Sequence, residues 1–113
     1  MALLIRMSFA QVQNNAMGGK TVDALAGGSM VRLQDLTTDG SSQTAQAVGG
    51  GDFVAPTNGF ILFLVSGTGD GNGLFAKASD LTASSVAGFP FSAGRHVFSI
   101  NEGERIAFEG PAA

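Results

Sequence analysis

The feature that most constrains this sequence is the apolar run FILFLV at residues 60–65, which is bracketed by Gly59 and Gly67. Six residues make fewer than two turns of an α-helix, and the run contains Phe, Ile and Val, which strands favour. A continuous apolar run of this length between turn residues is typical of a strand that is covered on both faces. The run therefore predicts a central β-strand, and the rest of the chain has to supply the sheets around it.

Short segments with strand character follow this run at intervals of roughly ten residues. The sequence predicts strands at 74–79, 96–100 and 105–109, and an edge segment at 89–91, because Pro90 cannot donate a hydrogen bond to a central ladder. The last two strands are separated by four residues that contain a glycine, which suits a hairpin.

The first half of the chain carries weaker signals. Residues 3–9 alternate enough to predict a strand with one solvated face, and an extended arm that reaches a neighbour is the alternative. Residues 11–30 predict a long irregular loop, with a short helix at 21–26 as the alternative. Residues 31–36 and 44–48 predict short peripheral strands.

Length and composition predict one all-β domain over residues 1–113. A chain of 113 residues is enough for one domain and not for two. Eight of the nine phenylalanines lie beyond Asp52, so we expect core strands in residues 52–110, peripheral strands in 31–51, and an arm and loops in 1–30. The predicted fold is a small antiparallel β-sandwich or a jelly-roll-like barrel with a long N-terminal arm and loops.

Charge and hydropathy argue against several classes of partner. Charged residues are only 13% of the chain, against about 25% in an ordinary domain, and the net charge is −3. The six basic residues stand singly, which leaves no basic stripe for nucleic acid. No segment approaches the ~18 apolar residues of a membrane helix, and the first residues do not follow the pattern of a signal peptide. A surface of such low charge suits burial against other subunits.

Candidate catalytic groups are few. The chain has no Cys, and its one histidine, His96, lies in a predicted strand without a G-x-S-x-G segment to accompany it. Glu102 and Glu104 flank Gly103 at a predicted hairpin tip. Acid–base pairs need an apolar pocket around one carboxyl, whereas a hairpin tip is solvated. We therefore expect no catalytic residue, no cofactor and no enzymatic activity.

Two glycine-rich segments come close to known phosphate or ion sites and match neither. The segment NNAMGGKT at residues 14–21 has Asn14 where a P-loop needs its first glycine. The segment SGTGDGNG at residues 66–73 has Asn72 where the dinucleotide fingerprint needs a glycine. Asp70 could take part in a weak ion site formed with other loops, but the full ligand set of a calcium loop is missing. We predict a hairpin loop at 66–73 and no metal site.

Two stretches of the sequence resemble known β-sandwich families. DFVAPTNGFILFLVSG, at 52–67, resembles the segment that leads into a central strand in small virion proteins and in jelly rolls of the complement and tumour-necrosis-factor type. PFSAGRHVFSINEGERIAFEG, at 90–110, resembles the closing hairpin of the same folds. The matching residues in the first stretch are Phe53, Ala55, Pro56, Gly59 and the run from Phe60. In size, and in a composition rich in Ala, Gly, Ser and Thr without Cys, the chain also resembles phage capsid decoration (cement) proteins.

The resemblance to decoration proteins implies a function and a location. It implies a homotrimer on the capsid surface of a virion, where it binds the major capsid protein and stabilises the shell, without a nucleic-acid or membrane partner. The residues that we expect to contact the shell or a neighbour are apolar and N-terminal: Leu3, Leu4, Ile5, Met7 and Phe9. An ordinary first strand is the alternative for these five residues.

A ligand- or receptor-binding β-sandwich module is the alternative function. A phage fibre or tail tip and a carbohydrate-binding domain are examples of such a module. Binding faces of this kind favour Tyr and Trp, which combine a large ring with a polar group. This chain contains neither residue, so Phe would have to supply the aromatic platform.

Overall fold

The computed structural model describes residues 2–17, 20–77, 81, 83 and 88–112, and for residues 12–17 and 20–29 the backbone alone. This part of the chain contains no helix, and therefore none that is long and apolar enough to cross a membrane. Its strands are β1 (Leu4–Met17), β2 (Lys20–Arg32), β3 (Leu36–Thr37), β4 (Gln43–Thr44), β5 (Gly59–Ser66), β6 (Gly71–Ala76), β7 (Phe89–Phe91), β8 (Gly94–Ile100) and β9 (Arg105–Glu109).

The strands form two antiparallel sheets. The first sheet has the order β2–β1–β5–β8, and β3 pairs with β1 as well; the second has the order β4–β9–β6–β7. The connections β3–β4, β4–β5, β5–β6, β7–β8 and β8–β9 all pass from one sheet to the other, so the apolar faces of the two sheets close on each other. The fold is a small β-sandwich, which confirms the predicted fold class.

The core lies between the two sheets and is aromatic at its centre. The ring of Phe63 on β5 lies 5.3 Å from the ring of Phe108 on β9 and 5.8 Å from that of Phe91 on β7. The ring centroids of Phe9 and Phe53 lie 5.4 Å apart. The prediction that the core strands lie in residues 52–110 is therefore incomplete, because β1 also contributes a full row of buried side chains.

Strand β5 confirms the prediction of a central strand and corrects its burial. Ile61, Phe63 and Val65 are buried, whereas Leu62 is half-buried and Leu64 is 39% exposed. The prediction that both faces are covered is wrong, because a two-layer sandwich covers only the face of each sheet that meets the other sheet.

The predicted arm and loops at residues 1–30 are also wrong. β1 and β2 pair from Ser8–Arg32 to Met17–Lys20, with an irregularity between Ala10 and Val12. In the described part of this segment, residues 11–17 and 20–30, neither the predicted loop nor the alternative helix at 21–26 is present. Local preference for turns in the Gly and Asn pairs gives way here to the ladder hydrogen bonds that two adjacent strands supply.

The β1–β2 pair extends past the sandwich. Within the described residues, β5 pairs with β1 only from Leu4 to Gln11, and residues 12–17 of β1 pair with β2 alone. Six residues of strand span roughly 20 Å. The length agrees with an overall extent of 51 Å along one axis against 29 and 28 Å along the others. A projecting two-stranded ribbon is therefore part of the fold.

The glycine-rich stretch at 66–73 is not the predicted hairpin. β5 belongs to the first sheet and β6 to the second, so the residues between them cross the sandwich. Gly67 and Gly69 have φ values of +121° and +106°, which glycine adopts most readily. A Cβ atom on Gly71 would lie 2.6 Å from Phe91 Cζ, and one on Gly73 would lie 3.0 Å from Phe89 Cζ. The alternate glycines therefore serve two purposes, a turn first and then space for two rings.

Thr38 ties the two ends of the described chain together. Its Oγ1 accepts a hydrogen bond from Leu3 N at 2.8 Å and donates one to Pro111 O at 2.7 Å, while Thr38 N donates to Leu3 O at 2.9 Å. The residue is 2% exposed. One hydroxyl thus links the segment before β1 to the segment after β9.

Candidate interaction surface

His96, the only histidine of the sequence, is held in a structural position. Its ring stacks on Phe63 with 5.1 Å between centroids, and its Nε2 lies 2.8 Å from Ser92 O. In the parts of the chain that the structure describes, no group of three or more His, Asp or Glu side chains is arranged to hold a metal ion. The imidazole therefore extends the aromatic core towards the edge of the sandwich at β8.

Carboxylates and backbone groups stabilise two turns. Of the two acids flanking Gly103, Glu104 accepts a hydrogen bond at Oε1 from Asn101 N at 2.6 Å, and the backbone N–H of Glu102 donates to Asn58 Oδ1 at 2.8 Å. In a second turn, Asp39 accepts hydrogen bonds from the hydroxyl and the backbone N–H of Ser41. These bonds, the hydroxyl bond first, hold the pKa of the Asp39 carboxyl below its ordinary value.

The two glycine-rich segments have different outcomes. Gly18 and Gly19 of the P-loop-like segment lie outside the described residues. Asp70 is exposed in the crossing between the sheets, and Asn72 lies in β6, opposite Pro90 and Glu109. Asp70 and Asn72, the two residues with carboxyl or amide side chains in this segment, therefore lie in a loop and in a strand, respectively.

The five N-terminal residues predicted to contact a partner lie in or beside β1. Leu3, Ile5, Met7 and Phe9 are 0–2% exposed in the intramolecular core, and Leu4 is half-buried on the other face of the sheet. Their arrangement is that of an ordinary first strand, the alternative kept for this segment. Alternation along a strand places every second side chain on the same face, and here that face packs against the second sheet.

The outer face of the first sheet carries the most distinctive surface of the described chain. Three exposed apolar side chains lie on it: Met30 at 47%, Leu64 at 39% and Val97 at 55%. The strand register fixes three cross-strand rows: Arg6–Leu64–Arg95, Arg32–Ser8–Leu62–Val97 and Met30–Ala10–Phe60–Ser99. We name these eleven residues the arginine-flanked face. A shallow depression of about 320 Å³ lies in it.

The charge on this face is of one sign. Arg6 and Arg95 are exposed on either side of Leu64, and among the described residues neither makes an ion pair. Arg32 pairs with Asp35 at 3.2 Å in an exposed contact that contributes little stability. No acidic residue occurs in the sequences of β1, β5 or β8. The face thus combines exposed apolar side chains with positive charge.

Sequence reasoning missed this face because its residues come from four strands. Arg6 and Arg95 become neighbours of Leu64 only through the pairing of β1 and β8 on the two sides of β5. The one local signal was Arg6, which interrupts an apolar segment and so marks a strand with a solvated side.

A second surface combines exposed apolar and acidic side chains. Burial alternates along residues 52–56, with Phe53 and Ala55 buried and Val54 48% exposed. Ala55 N donates to Glu104 O and Gly103 N donates to Ala55 O, both at 2.9 Å, which places the β8–β9 turn beside this segment. The residues of this surface, which we name the acidic patch, are Asp52, Val54, Glu102 and Glu104.

A polar cleft of about 340 Å³ lies between β3 of the first sheet and β4 of the second. Its lining is rich in amide and hydroxyl groups: Gln34, Asp35, Leu36, Thr37, Gln43, Thr44 and Gln46. No aromatic ring lines it. The cleft can offer hydrogen bonds to a small ligand but no platform on which a sugar ring could stack.

No family model, curated protein or solved structure gives a significant match to this chain. The β-sandwich architecture hosts many unrelated functions, so the fold alone does not assign one. The surfaces described above therefore carry the functional conclusion.

Proposed function

We propose that this protein is a non-enzymatic structural component of a virion, a decoration protein that binds the major capsid protein and stabilises the shell as a trimer. The observation that supports the proposal is the arginine-flanked face, which exposes Leu64 on the interior strand β5 and Val97 on the adjacent edge strand β8. Contiguous exposed apolar surface of this kind marks interaction sites in soluble proteins.

The free energy gained when a partner covers the apolar side chains of this face is modest. Full burial of a Val, Leu or Met side chain contributes roughly 1.5–3 kcal/mol, and about half of each of three such side chains is still exposed here. Covering Met30, Leu64 and Val97 therefore contributes about 2–4 kcal/mol in total. Association of two proteins also costs translational and rotational freedom. A shell protein gains from joining several such contacts in one oligomer, because later contacts form at high effective concentration.

The described chemistry of the chain suits a structural role. The imidazole of His96 is stacked in the aromatic cluster, and the carboxyl of Glu104 is engaged by the backbone of its own turn. The projecting ribbon of β1 and β2 gives each copy an element that can reach beyond its own sandwich. Contact between copies at the face, with the ribbon reaching the shell, would bury the exposed apolar side chains at the junctions between capsomers.

Mass measured by light scattering over a dilution series tests the proposal. We expect a compact trimer for the natural chain, and a lower mass for Val97→Asp, which replaces the most exposed apolar side chain of the face by a negative charge. The matched control is Thr68→Asp, the same introduced charge on an exposed loop residue outside the face. Both variants should keep the far-ultraviolet circular dichroism of the natural chain.

Binding to the shell is measured separately by cosedimentation with capsids assembled without this protein. We expect the natural chain and Thr68→Asp to cosediment and Val97→Asp to remain in solution. A natural chain that stays monomeric when concentrated and does not cosediment with capsids would contradict the proposal.

A ligand-binding module is the second candidate, and the polar cleft between β3 and β4 is the observation that favours it. A glycan array probed with the natural chain tests this function, with Gln46→Ala as the cleft variant. A signal that disappears in Gln46→Ala, given by a chain that is monomeric in solution, would favour the module over the decoration protein.

A further inference from the structure

The basic residues of this protein are unevenly distributed. Three of its six basic residues, Arg6, Arg32 and Arg95, lie on the arginine-flanked face. The rest of the sequence therefore holds three basic residues against nine acidic residues, a net charge of −6. A chain whose net charge is −3 thus carries a surface of the opposite sign, and that surface is also the one with exposed Leu and Val.

The acidic patch has the complementary composition. Val54 is exposed two residues from Asp52, and the backbone hydrogen bonds of Ala55 hold the turn that carries Glu102 and Glu104 beside it. Arg105 pairs with Asp52 at 3.0 Å, so three acids against one adjacent base leave the patch negative. Both surfaces therefore combine exposed apolar side chains with charge, and the signs of their charges are opposite.

The two surfaces lie on opposite sides of the sandwich. The ring of Phe53 points inward and meets the ring of Phe9, which is on the inner face of β1. Asp52 and Val54 alternate with Phe53 and so point away from the first sheet. The arginine-flanked face is the outer side of that same sheet. One copy can therefore offer its face to a second copy and its patch to a third.

A two-fold contact between two arginine-flanked faces is electrostatically unfavourable. It would bring Arg6 and Arg95 of both copies together, and β1, β5 and β8 supply no acidic residue to separate them. Placing like charges opposite each other in an interface costs several kcal/mol. Contact between the face and the patch brings Arg against Glu and leaves the exposed apolar side chains to pack on each other.

We infer that copies of this protein associate head to tail, with the arginine-flanked face of one copy docked on the acidic patch of the next. This inference rests on the proposed function, because it names how the copies of the oligomer contact each other. A heterologous contact of this kind closes into a ring when its rotation permits and continues as an open chain of copies when it does not. A trimer is the smallest ring that such a contact can close, because a closed dimer with two-fold symmetry uses the same surface on both copies.

Two charge reversals test the docking. Arg95→Glu damages the face and Glu102→Lys damages the patch, and both residues are exposed, so each variant should fold. Either variant alone is expected to raise the dissociation constant at least tenfold by light scattering. An equimolar mixture of the two should have a higher mass than either variant alone, because the intact face of the Glu102→Lys copy docks on the intact patch of the Arg95→Glu copy.

Matched controls carry the same charge changes elsewhere. Lys77→Glu and Asp70→Lys alter exposed residues outside both surfaces and should leave the mass of the natural oligomer unchanged. Raising the salt from about 0.1 M to about 1 M shortens the Debye length from ~10 Å to ~3 Å and should weaken association of the natural chain.

The outcomes separate this inference from the proposed function. A trimer that persists in Glu102→Lys overturns head-to-tail docking and leaves the trimeric decoration protein standing. An open chain of copies that both charge reversals disrupt supports the docking and contradicts the trimer. A natural chain that is monomeric at every concentration overturns the docking.

Discussion

Replacement of Thr38 by Val removes one hydroxyl from the junction of the two chain ends. Val has nearly the same shape as Thr, so the packing of the site is retained. In Thr38→Val the N–H of Leu3 loses its acceptor at 2.8 Å, and the carbonyl of Pro111 loses its donor at 2.7 Å. Leu3 is completely buried, so water cannot replace the lost acceptor there. Pro111 is only half-buried, and its carbonyl can be hydrated.

The expected loss of stability follows from the unsatisfied N–H of Leu3. A buried polar group that loses its partner costs about 1–3 kcal/mol. Unfolding entropy near the midpoint is about 2.1 cal/mol/K per residue, which gives about 0.24 kcal/mol/K for 113 residues. Thr38→Val should therefore lower Tm by about 4–13 °C.

Thermal unfolding followed by circular dichroism measures this loss, with Thr38→Ser as the control. Ser keeps the hydroxyl and loses the methyl group, which lies so close to Gly110 that a Cβ atom there would be 2.6 Å from Thr38 Cγ2. Loss of that methyl costs about 1 kcal/mol, so Thr38→Ser should unfold between the natural chain and Thr38→Val. If Thr38→Val proves as stable as the natural chain, the hydroxyl does not hold the two ends together.

Three further substitutions or deletions have expected outcomes. Gly71→Ala should destabilise the fold by about 1–3 kcal/mol in urea unfolding, and more than Gly73→Ala, because its Cβ meets the backbone carbonyl of Glu109 as well as the Phe91 ring. Hydrogen bonds lower the pKa of Asp39 in the folded chain, so its ionised carboxyl stabilises the fold above the unfolded pKa, and this is lost as pH falls through the lowered value. The difference in Tm between the natural chain and Asp39→Asn should therefore shrink below about pH 4. Deletion of residues 2–9 removes four core side chains, and circular dichroism should show an unfolded chain.

The second half of the fold was predictable because its signals are local. β8 and β9 lie close to their predicted bounds, on each side of a turn that contains Gly103. The predicted hairpin between them is wrong, because β8 pairs with β5 in the first sheet and β9 pairs with β4 and β6 in the second. Pro90 restricted residues 89–91 to an edge, and β7 is the edge strand of the second sheet. In each case a residue with a fixed backbone preference marked the limits of the strand.

The first half was not predictable in the same way, because β1 and β2 are defined by their partners. The segment 11–30 contains no residue pattern that distinguishes a long ribbon from a loop. Its ladder is antiparallel and in register from Val12–Leu25 to Met17–Lys20, and this pairing depends on where β1 lies in the first sheet. The position of β1 between β2 and β5 follows in turn from a core that includes Phe9 and Ile61, which are distant in sequence.

The incorrect prediction for β5 and the arginine-flanked face have one physical origin. The run FILFLV is apolar on both sides, which predicts cover on both sides, yet a two-layer sandwich supplies cover on one side only. Leu62 and Leu64 are therefore apolar side chains on a sheet face that no other layer of the described chain covers. Selection for solubility alone would place polar side chains at such positions, as it does at Ser66 and Ser99 on the same face. The exposure of Leu64 therefore fits the proposed docking of a second chain on this face.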